Sequence, residues 1–390
     1  MRILAIETSC DETGIAIIDA RGDGAETTFR ILANKTLSQI TIHKKYGGVF
    51  PILAKREHAR TLVPLFVTAL HDAGLYARTS RHIIEHPLRE EFKHILEREP
   101  ELYAAFVSEI PHIDPPALDA IAVTTGPGLE PALWVGINFA RALSMIWKTP
   151  VIPVNHMEGH ILSSLLSSTE GEVRIPNVEF PAIALLISGG HTELVLLRDW
   201  LSHEVVGETR DDAVGEAFDK VARILGLPYP GGPQISRIAE QGTPGVYPLP
   251  RPMLHSGDLN FSFSGIKTAV LYLVRSLGNL DDAHKANIAR EFEEAVCDVL
   301  LTKTRRALEM FDAKSVIVGG GVSANARIRR RFENEIAPLL DKNMLYIPDQ
   351  TLSTDNALMI AVAGYFERTK GTLRIDSLTA QGSMRLSALA

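Results

Sequence analysis

Two histidines four residues apart carry the first sign of chemistry in this chain. In Asn155-His156-Met157-Glu158-Gly159-His160 an i, i+4 spacing on a helix puts both imidazoles on one face, within reach of one metal ion. The segment follows the apolar run Val151 to Val154, so the predicted helix begins at the end of a strand. The same spacing also arises between two ordinary surface histidines, and spacing alone leaves the readings even. A carboxylate would complete a three-ligand centre with an open position. Asp355, in Thr354-Asp355-Asn356, stands at a predicted helix start, where it would either cap the helix or bind the ion. A zinc-peptidase reading fits less well. In HExxH the glutamate base directly follows the first histidine, but here Met157 holds that place and Glu158 lies roughly 200° around the helix from His156.

Four glycine-rich turns fall at predicted strand ends or helix starts: Gly126-Pro127-Gly128, Ser188-Gly189-Gly190, Gly231-Gly232 and Gly319-Gly320-Gly321. Such turns let backbone approach a ligand closely and aim N–H groups at an anion. One alone means little, because glycine mostly just makes turns. Four together, with the polar tip Thr8 to Thr13, point to phosphate-cradling loops in a nucleotide cleft between two related lobes. Asn325, after the last of these turns, offers a donor and an acceptor to a planar base, or else caps the next helix. Asp219, in Glu216-Ala217-Phe218-Asp219-Lys220, could accept from a ribose or substrate hydroxyl, or pair along its own helix.

The elements that must position these residues read as α/β layers. Ile3 to Ile6, the polar turn and Ile15 to Ile18 form a predicted hairpin; Ala182 to Ile187 and Leu194 to Leu197 form a second around Ser188-Gly189-Gly190-His191-Thr192. Two matching openings about half the chain apart imply an internal duplication. Helices are predicted over 52–70, after Pro131, and over 216–225, 289–309, 324–339 and 356–367. Strands are predicted at 120–123, 151–154, 315–318 and 345–347. The segment from Ala77 to Pro115, with helical apolar spacing at Ile83, Ile84, Leu88, Phe92, Ile95 and Leu96, reads as a helical excursion, either a surface embellishment or a docking element.

With 390 residues, 45% of them hydrophobic, the chain can bury two cores. It opens on a strand-like run with no basic leader or membrane-length apolar span, and it has only two cysteines, Cys10 and Cys297, which predicts an unexported, cytoplasmic protein. A formal charge of −7 argues against polyanion binding over the whole surface. A nucleic acid would need a local patch: Lys44-Lys45, Lys55-Arg56 with Arg60, Lys303 with Arg305-Arg306, or Arg327 with Arg329 to Arg331. Each also reads as an ordinary solvated helix face.

Together these stretches resemble the TsaD family (also called Gcp, once described as O-sialoglycoprotein endopeptidase), part of the actin-like ATPase-domain superfamily. The resemblance spans nearly the whole chain. It is carried by Ile6 to Thr13, His156 to His160, Leu186 to Thr192, Gly215 to Lys220, Tyr229 to Pro233, Gly319 to Asn325 and Thr354 to Asn356. It implies a duplicated two-lobe α/β actin-like fold, with one lobe over 1–155, carrying the insertion at about 77–115, and another over 156–390, whose C-terminal helix packs back on the first. It implies an acyltransferase that moves threonylcarbamoyl from threonylcarbamoyl-AMP to N6 of the adenosine 3′ to the anticodon, in tRNAs reading codons that begin with A, giving t6A and AMP. By motif match, His156, His160 and Asp355 would hold one divalent metal, Fe2+ before Zn2+. Leu186, Ile187, Ser188, Gly189, Gly190, Asp219, Gly232 and Asn325 would contact the adenylate. Asp11 or Glu12, at the first hairpin tip, would take the amine proton. A TsaB-like paralogue and a TsaE-like small ATPase are the implied helper subunits, with no membrane. The alternatives are a metal-dependent glycoprotein endopeptidase and an ATPase or kinase of the same superfamily. Three departures stand out: Asn155 replaces a further histidine of many relatives, Leu186 replaces a tyrosine ligand of archaeal and eukaryotic ones, and the 77–115 excursion is longer than usual.

Overall fold

The structure is a computed structural model that describes residues 1–22, 27–79, 86–169, 172–200, 202–368 and 377–386. Its strands form two sheets. The first contains β1 (Arg2–Glu7), β2 (Glu12–Arg21), β3 (Thr28–Ser38), β4 (Ala120–Gly126), β5 (Val151–Asn155), β6 (Ser167–Thr169) and β7 (Glu172–Arg174). The second contains β8 (Ala182–Ile187), β9 (Thr192–Leu197), β10 (His203–Glu208), β11 (Ser315–Gly319) and β12 (Leu345–Tyr346).

The two sheets share one topology. In the first, β1 pairs antiparallel with β2, which pairs antiparallel with β3, while β4 runs parallel to β1 and β5 parallel to β4. In the second, β8, β9 and β10 repeat the antiparallel meander, and β11 and β12 repeat the parallel pair. The order β5-β4-β1-β2-β3 is thus mirrored strand for strand by β12-β11-β8-β9-β10, with β7 and β6 added beyond β3. This is the duplication implied by the two hairpins.

By contacts, the chain divides into a unit of Met1–Pro176 with Asp355–Arg385 and a unit built on Asn177–Thr354. The first unit runs past the boundary expected at residue 155 because β7 pairs with β3. It also reclaims the helix Ala357–Glu367, which is apolar on every side and buried from Ala357 to Tyr365. Such a helix has no polar face to offer water, so it must be covered. The strands explain where. Ile3-Leu4-Ala5-Ile6 and Ile15-Ala16-Ile17-Ile18 are all fully buried, as in strands covered on both faces. Leu4, Ile6, Ile15 and Ile17 join the core beneath the helices Pro51–Asp72 and Glu130–Trp147. The opposite face carries the 357–367 helix, with Gly364 seated over Ala122.

The excursion is part of the first core. Helices His86–Ile95 and Pro100–Glu109 bury Phe92, Leu96, Leu102 and Phe106 against Phe66 and Phe139, and a bridge from Arg78 to Ile113 closes its base. Glu99, also buried, is bound by Lys55 (2.9 Å) and by Asn138 Nδ2 (3.1 Å). Ile83 and Ile84 lie outside the described residues.

The second unit holds helices Val214–Ile224, Gly231–Ala239, Ser264–Leu277, Asp282–Phe311 and Ala326–Glu335 around its own core. The predicted 324–339 helix is shorter, flanked by single turns at 321–324 and 337–339. Asn325 caps it at one end and Pro338 follows its other. Helix 231–239 was hidden in the sequence by Gly231-Gly232-Pro233, which forms its first turn instead of a loop. Among the described residues no helix is long and apolar enough to cross a membrane.

Candidate metal centre and adenylate pocket

The first unit gathers His156, His160 and Asp355, with one potential ligand atom of each within 4.8 Å of the others. Asp355 Oδ1 lies 3.4 Å from His156 Nε2 and 3.2 Å from His160 Nε2, and the two rings stand edge to face at 4.7 Å. Local sequence sets this up twice. Asn155 caps the 156–164 helix by accepting from Met157 N (2.8 Å), which starts the helix where both histidines share a face. At the other end Asn356 caps the 357–367 helix by accepting from Met359 N (3.1 Å). Capping is therefore Asn356's task, and the Asp355 carboxylate turns to the histidines instead.

Gly159 brings the two helices together. A Cβ there would sit 3.1 Å from Met359 Cγ and 3.2 Å from Ile360 Cδ1, closer than ordinary packing allows. Glycine between the histidines thus lets the two helices pack closely, and a large side chain there has no room.

The partners of His156 fix its orientation. Its Nδ1 lies 3.1 Å from Glu7 Oε2 and 3.2 Å from Ser9 Oγ. Glu7 is fully buried and also accepts from Thr124 Oγ1 (2.6 Å) and from Ser9 N. A carboxylate holding one ring nitrogen leaves the other, Nε2, as the ligand atom, an arrangement common behind metal-bound histidines. His160 has no such partner: its Nδ1 is buried without a hydrogen bond among the described residues, and its Nε2 meets Asp355 Oδ1. Two imidazoles and a carboxylate are a donor set for iron or zinc, so the residues fit the group. Burial would raise the Asp355 carboxyl, but His156 and His160 outweigh it and hold it far below the usual carboxylate range. Burial would lower His156, but Asp355 and Glu7 outweigh it and raise it well above an ordinary histidine.

Asp11 and Glu12 stand at the tip between β1 and β2. Burial, then the charges of Asp355 and Asp11, push the Glu12 carboxyl up to about 9. The charged form of Glu12 is thus disfavoured beside those two carboxylates. The same causes, burial first and then Asp11 and Asp355, push the Cys10 thiol well up, so it is no ready nucleophile.

The second unit holds a separate pocket of about 370 Å³, within the usual size of small-molecule sites. Phe218, Asp219, Pro230 and Gly232 line one side, and Gly321, Val322 and Asn325 another. Its walls rest on glycines of two kinds. A Cβ at Gly215 would strike Ser188 O at 2.6 Å, and one at Gly231 would strike Asp219 Cα at 2.6 Å. At Gly189, Gly232 and Gly321 a Cβ would meet nothing within 4 Å and would project into open space. Those three line the pocket and form a cradle that side chains would fill.

Of the stretch 186 to 190, Gly189 lines this pocket. Leu186 and Ile187 are fully buried in β8, Ser188 Oγ accepts from His191 N (3.1 Å), and Gly190 lies in the same turn. Asp219 Oδ1 accepts from Gly231 N (2.6 Å) and so fixes the wall it belongs to. Asn325 is saturated. Its Oδ1 accepts from Arg327 N (2.9 Å) and Ile328 N (3.0 Å), and its Nδ2 donates to Ser236 Oγ and Glu293 Oε1, both at 2.8 Å. A side-chain amide has two donor and two acceptor places, so the Asn325 side chain is spent on building the pocket wall. Sequence reasoning missed Glu293, Ser236, Glu7 and Ser9. Glu293 lies in Glu291-Phe292-Glu293-Glu294, an acidic run that would ordinarily read as a solvated face, yet it is buried.

Residues 30–84 and 93–362 match the family model TsaD, described as tRNA N6-adenosine threonylcarbamoyltransferase. The chain is similar to the protein of that name from Chromobacterium violaceum, 44% identical over 93% of this chain and 92% of the relative. It is also similar to that of Paraburkholderia xenovorans, 43% identical over 93% and 91%. Among solved structures it is similar to full-length HypF in its phosphate- and nucleotide-bound form, 13% identical, with a TM-score of 0.47 over 70% of this chain and 42% of that one. On the extent of the family match and the identity to these relatives, the chain belongs to the TsaD family of tRNA N6-adenosine threonylcarbamoyltransferases, which are acyltransferases acting on tRNA.

Proposed function

We propose that this chain transfers the threonylcarbamoyl group of threonylcarbamoyl-AMP to N6 of the adenosine 3′ to the anticodon, in tRNAs reading codons that begin with A. The single observation that carries the reading is the convergence of His156, His160 and Asp355, with one potential ligand atom of each within 4.8 Å of the others, in a chain of this family.

His156, His160 and Asp355 hold one divalent cation, iron before zinc. Bound there, the cation would supply fixed positive charge to a substrate oxygen. Glu7 and Ser9 keep the His156 ring turned so that Nε2 faces Asp355. The glycine-walled pocket takes the AMP moiety: Gly189, Gly232 and Gly321 admit its atoms against bare backbone, and Asp219 and Asn325 keep the walls rigid. In the transfer the N6 lone pair attacks the carbamoyl carbon, the bond from that carbon to the phosphate oxygen breaks, and AMP leaves with the electron pair. The N6 proton passes to Asp11 or Glu12 at the tip of the first hairpin. Most of the rate then comes from positioning and charge stabilisation. The chain works in the cytoplasm with a TsaB-like paralogue and a TsaE-like small ATPase.

The test is nucleoside mass analysis of tRNA incubated with the chain, its helper subunits and preformed threonylcarbamoyl-AMP. Wild type should give t6A and AMP, and His156→Ala should lose bound metal and transfer together. Normal modification by a metal-free variant would overturn the role of the ion. Cleavage of a glycoprotein, or turnover of ATP with no adenylate donor, would favour the peptidase or kinase reading instead.

A further inference from the structure

The basic clusters of the sequence differ in how they are engaged. Lys55 pairs with Glu99, Arg56 with Glu101 and Arg60 with Glu57. Arg327 and Arg331 both close on Glu294, and Arg329 donates to Pro348 O and Ser353 Oγ. Lys303 is fully buried against Ser256 and Asp258, and Arg306 donates to Asp258 O. Lys44 and Lys45 are both exposed and neither pairs with a carboxylate among the described residues, which is true also of Arg305 and Arg330; what distinguishes the two lysines is their neighbours.

Large apolar groups surround them. Tyr46 is 64% exposed and Phe50 56%, with ring centroids 6.0 Å apart, and Ile52 is 73% exposed. Two exposed rings beside two uncompensated lysines, on a chain of net charge −7, combine π-faces and local positive charge. That is the chemistry of single-stranded nucleic-acid recognition, in which bases stack on aromatics while lysines meet phosphates.

The loop is also tied to the tip that carries Asp11 and Glu12. β3 ends with Ser38 opposite Glu12, and Gln39 N donates to Asp11 O (2.9 Å), so the loop leaves the sheet beside that tip. A buried chain of hydrogen bonds then ties its base down. Phe50 N donates to His43 Nδ1 (3.3 Å), His43 Nε2 to Gln39 Oε1 (3.1 Å), Gln39 Nε2 to His58 Nδ1 (3.2 Å), and His58 Nε2 to Cys10 O (3.0 Å). Gly47, at φ 71°, makes the left-handed turn that returns the chain to Phe50. The rings are thus exposed yet anchored, which lowers the entropy lost when a base stacks on them.

We propose that residues 44–52 are the surface on which the single-stranded loop of the acceptor tRNA docks, with Tyr46 and Phe50 stacking bases that flank the target adenosine and Lys44 and Lys45 meeting their phosphates. This rests on the tRNA reading above.

The experiment measures binding of a fluorescent anticodon stem-loop RNA to the full chain with its helper subunits, across a salt series. Tyr46→Ala with Phe50→Ala should weaken binding on the order of tenfold per lost stack, while Tyr46→Trp and Phe50→Trp keep it. Lys44→Ala with Lys45→Ala should flatten the slope of log K against log salt by roughly 0.7 per lost phosphate contact. Bound metal checks that the first unit is intact, and where the alanine variant loses metal the tryptophan and lysine variants decide. RNA binding by the aromatic variant equal to wild type overturns the proposal, as does loss of a helper subunit with RNA affinity of the chain itself unchanged. A wild-type assembly that ignores the stem-loop altogether fails the tRNA reading, which is a different result.

Discussion

Asp355 Oδ1 lies 3.2 Å from His160 Nε2, while the next residue, Asn356, caps the helix that follows. Adjacent polar residues at one helix start thus have separate tasks, and substitution should separate them. Asn356→Ala should cost about 1 kcal/mol of stability, the usual worth of such a cap, with metal retained. Asp355→Ala should leave the cap and lose the metal. Metal analysis beside thermal unfolding reads both, and loss of metal in both variants alike would undo the division of labour.

Gly159 supplies a steric prediction. Alanine puts a Cβ 3.1 Å from Met359 Cγ, the end of an adaptable side chain, and gains about 1 kcal/mol in helix propensity, so Gly159→Ala should be near neutral. Gly159→Leu has no room against Met359 and Ile360. It should destabilise by about 1–3 kcal/mol, as overpacking does, and weaken metal retention by parting the 156–164 helix from Asp355. Full metal content in the leucine variant would show that the contact does not set the site.

Much of this was legible in the chain because the signals were local. The two hairpins were visible as apolar runs around polar turns, and their likeness carried the duplicated topology. The i, i+4 histidines carried half of a metal site. What could not be read depends on contacts between distant residues. In the sequence Asp355 and Asn356 are both possible caps, and only the hydrogen bond from Met359 N to Asn356 Oδ1 assigns that task to Asn356. Glu293 looks like surface because its neighbours are acidic, whereas it lies buried under Ser236 and Asn325. Most basic clusters read as candidate patches until their carboxylate partners, several on other elements, were in place.

Glu293 is expected to act on nucleotide affinity through Asn325. Glu293→Ala leaves Asn325 Nδ2 and Ser236 Oγ short of an acceptor, a loss of about 1–3 kcal/mol for a buried group, and loosens the pocket wall. Glu293→Gln keeps an acceptor oxygen and should be milder. Asn325→Asp sets a carboxylate against Glu293 and should be the most damaging of the three. Calorimetric titration with AMP orders the variants, and unchanged transfer at saturating donor would separate this positioning role from chemistry. Equal AMP affinity across all three would refute it.

The buried histidine beneath the hairpin tip makes the last prediction, and its sign follows from the hydrogen bonds. His58 Nε2 donates to Cys10 O, so Nδ1 is the acceptor, receiving Thr13 Oγ1 (2.8 Å) and Gln39 Nε2 (3.2 Å). Burial, opposed in part by the Cys10 carbonyl and Glu7, pushes its pKa down to about 4, against an ordinary 6.5 in the unfolded chain. The unfolded chain therefore takes up this proton first as pH falls. The stability contributed by neutral His58 is complete above about pH 6.5 and is lost progressively down to about pH 4, some 3 kcal/mol in all by linkage. His58→Gln removes that titration. Its urea midpoint should be lower than wild type at pH 7 and fall less steeply between pH 6.5 and 4, so the two curves converge. Parallel curves over that interval would mean that His58 is already protonated in the folded protein, and that the hydrogen-bond chain from Phe50 to Cys10 runs in a different sense.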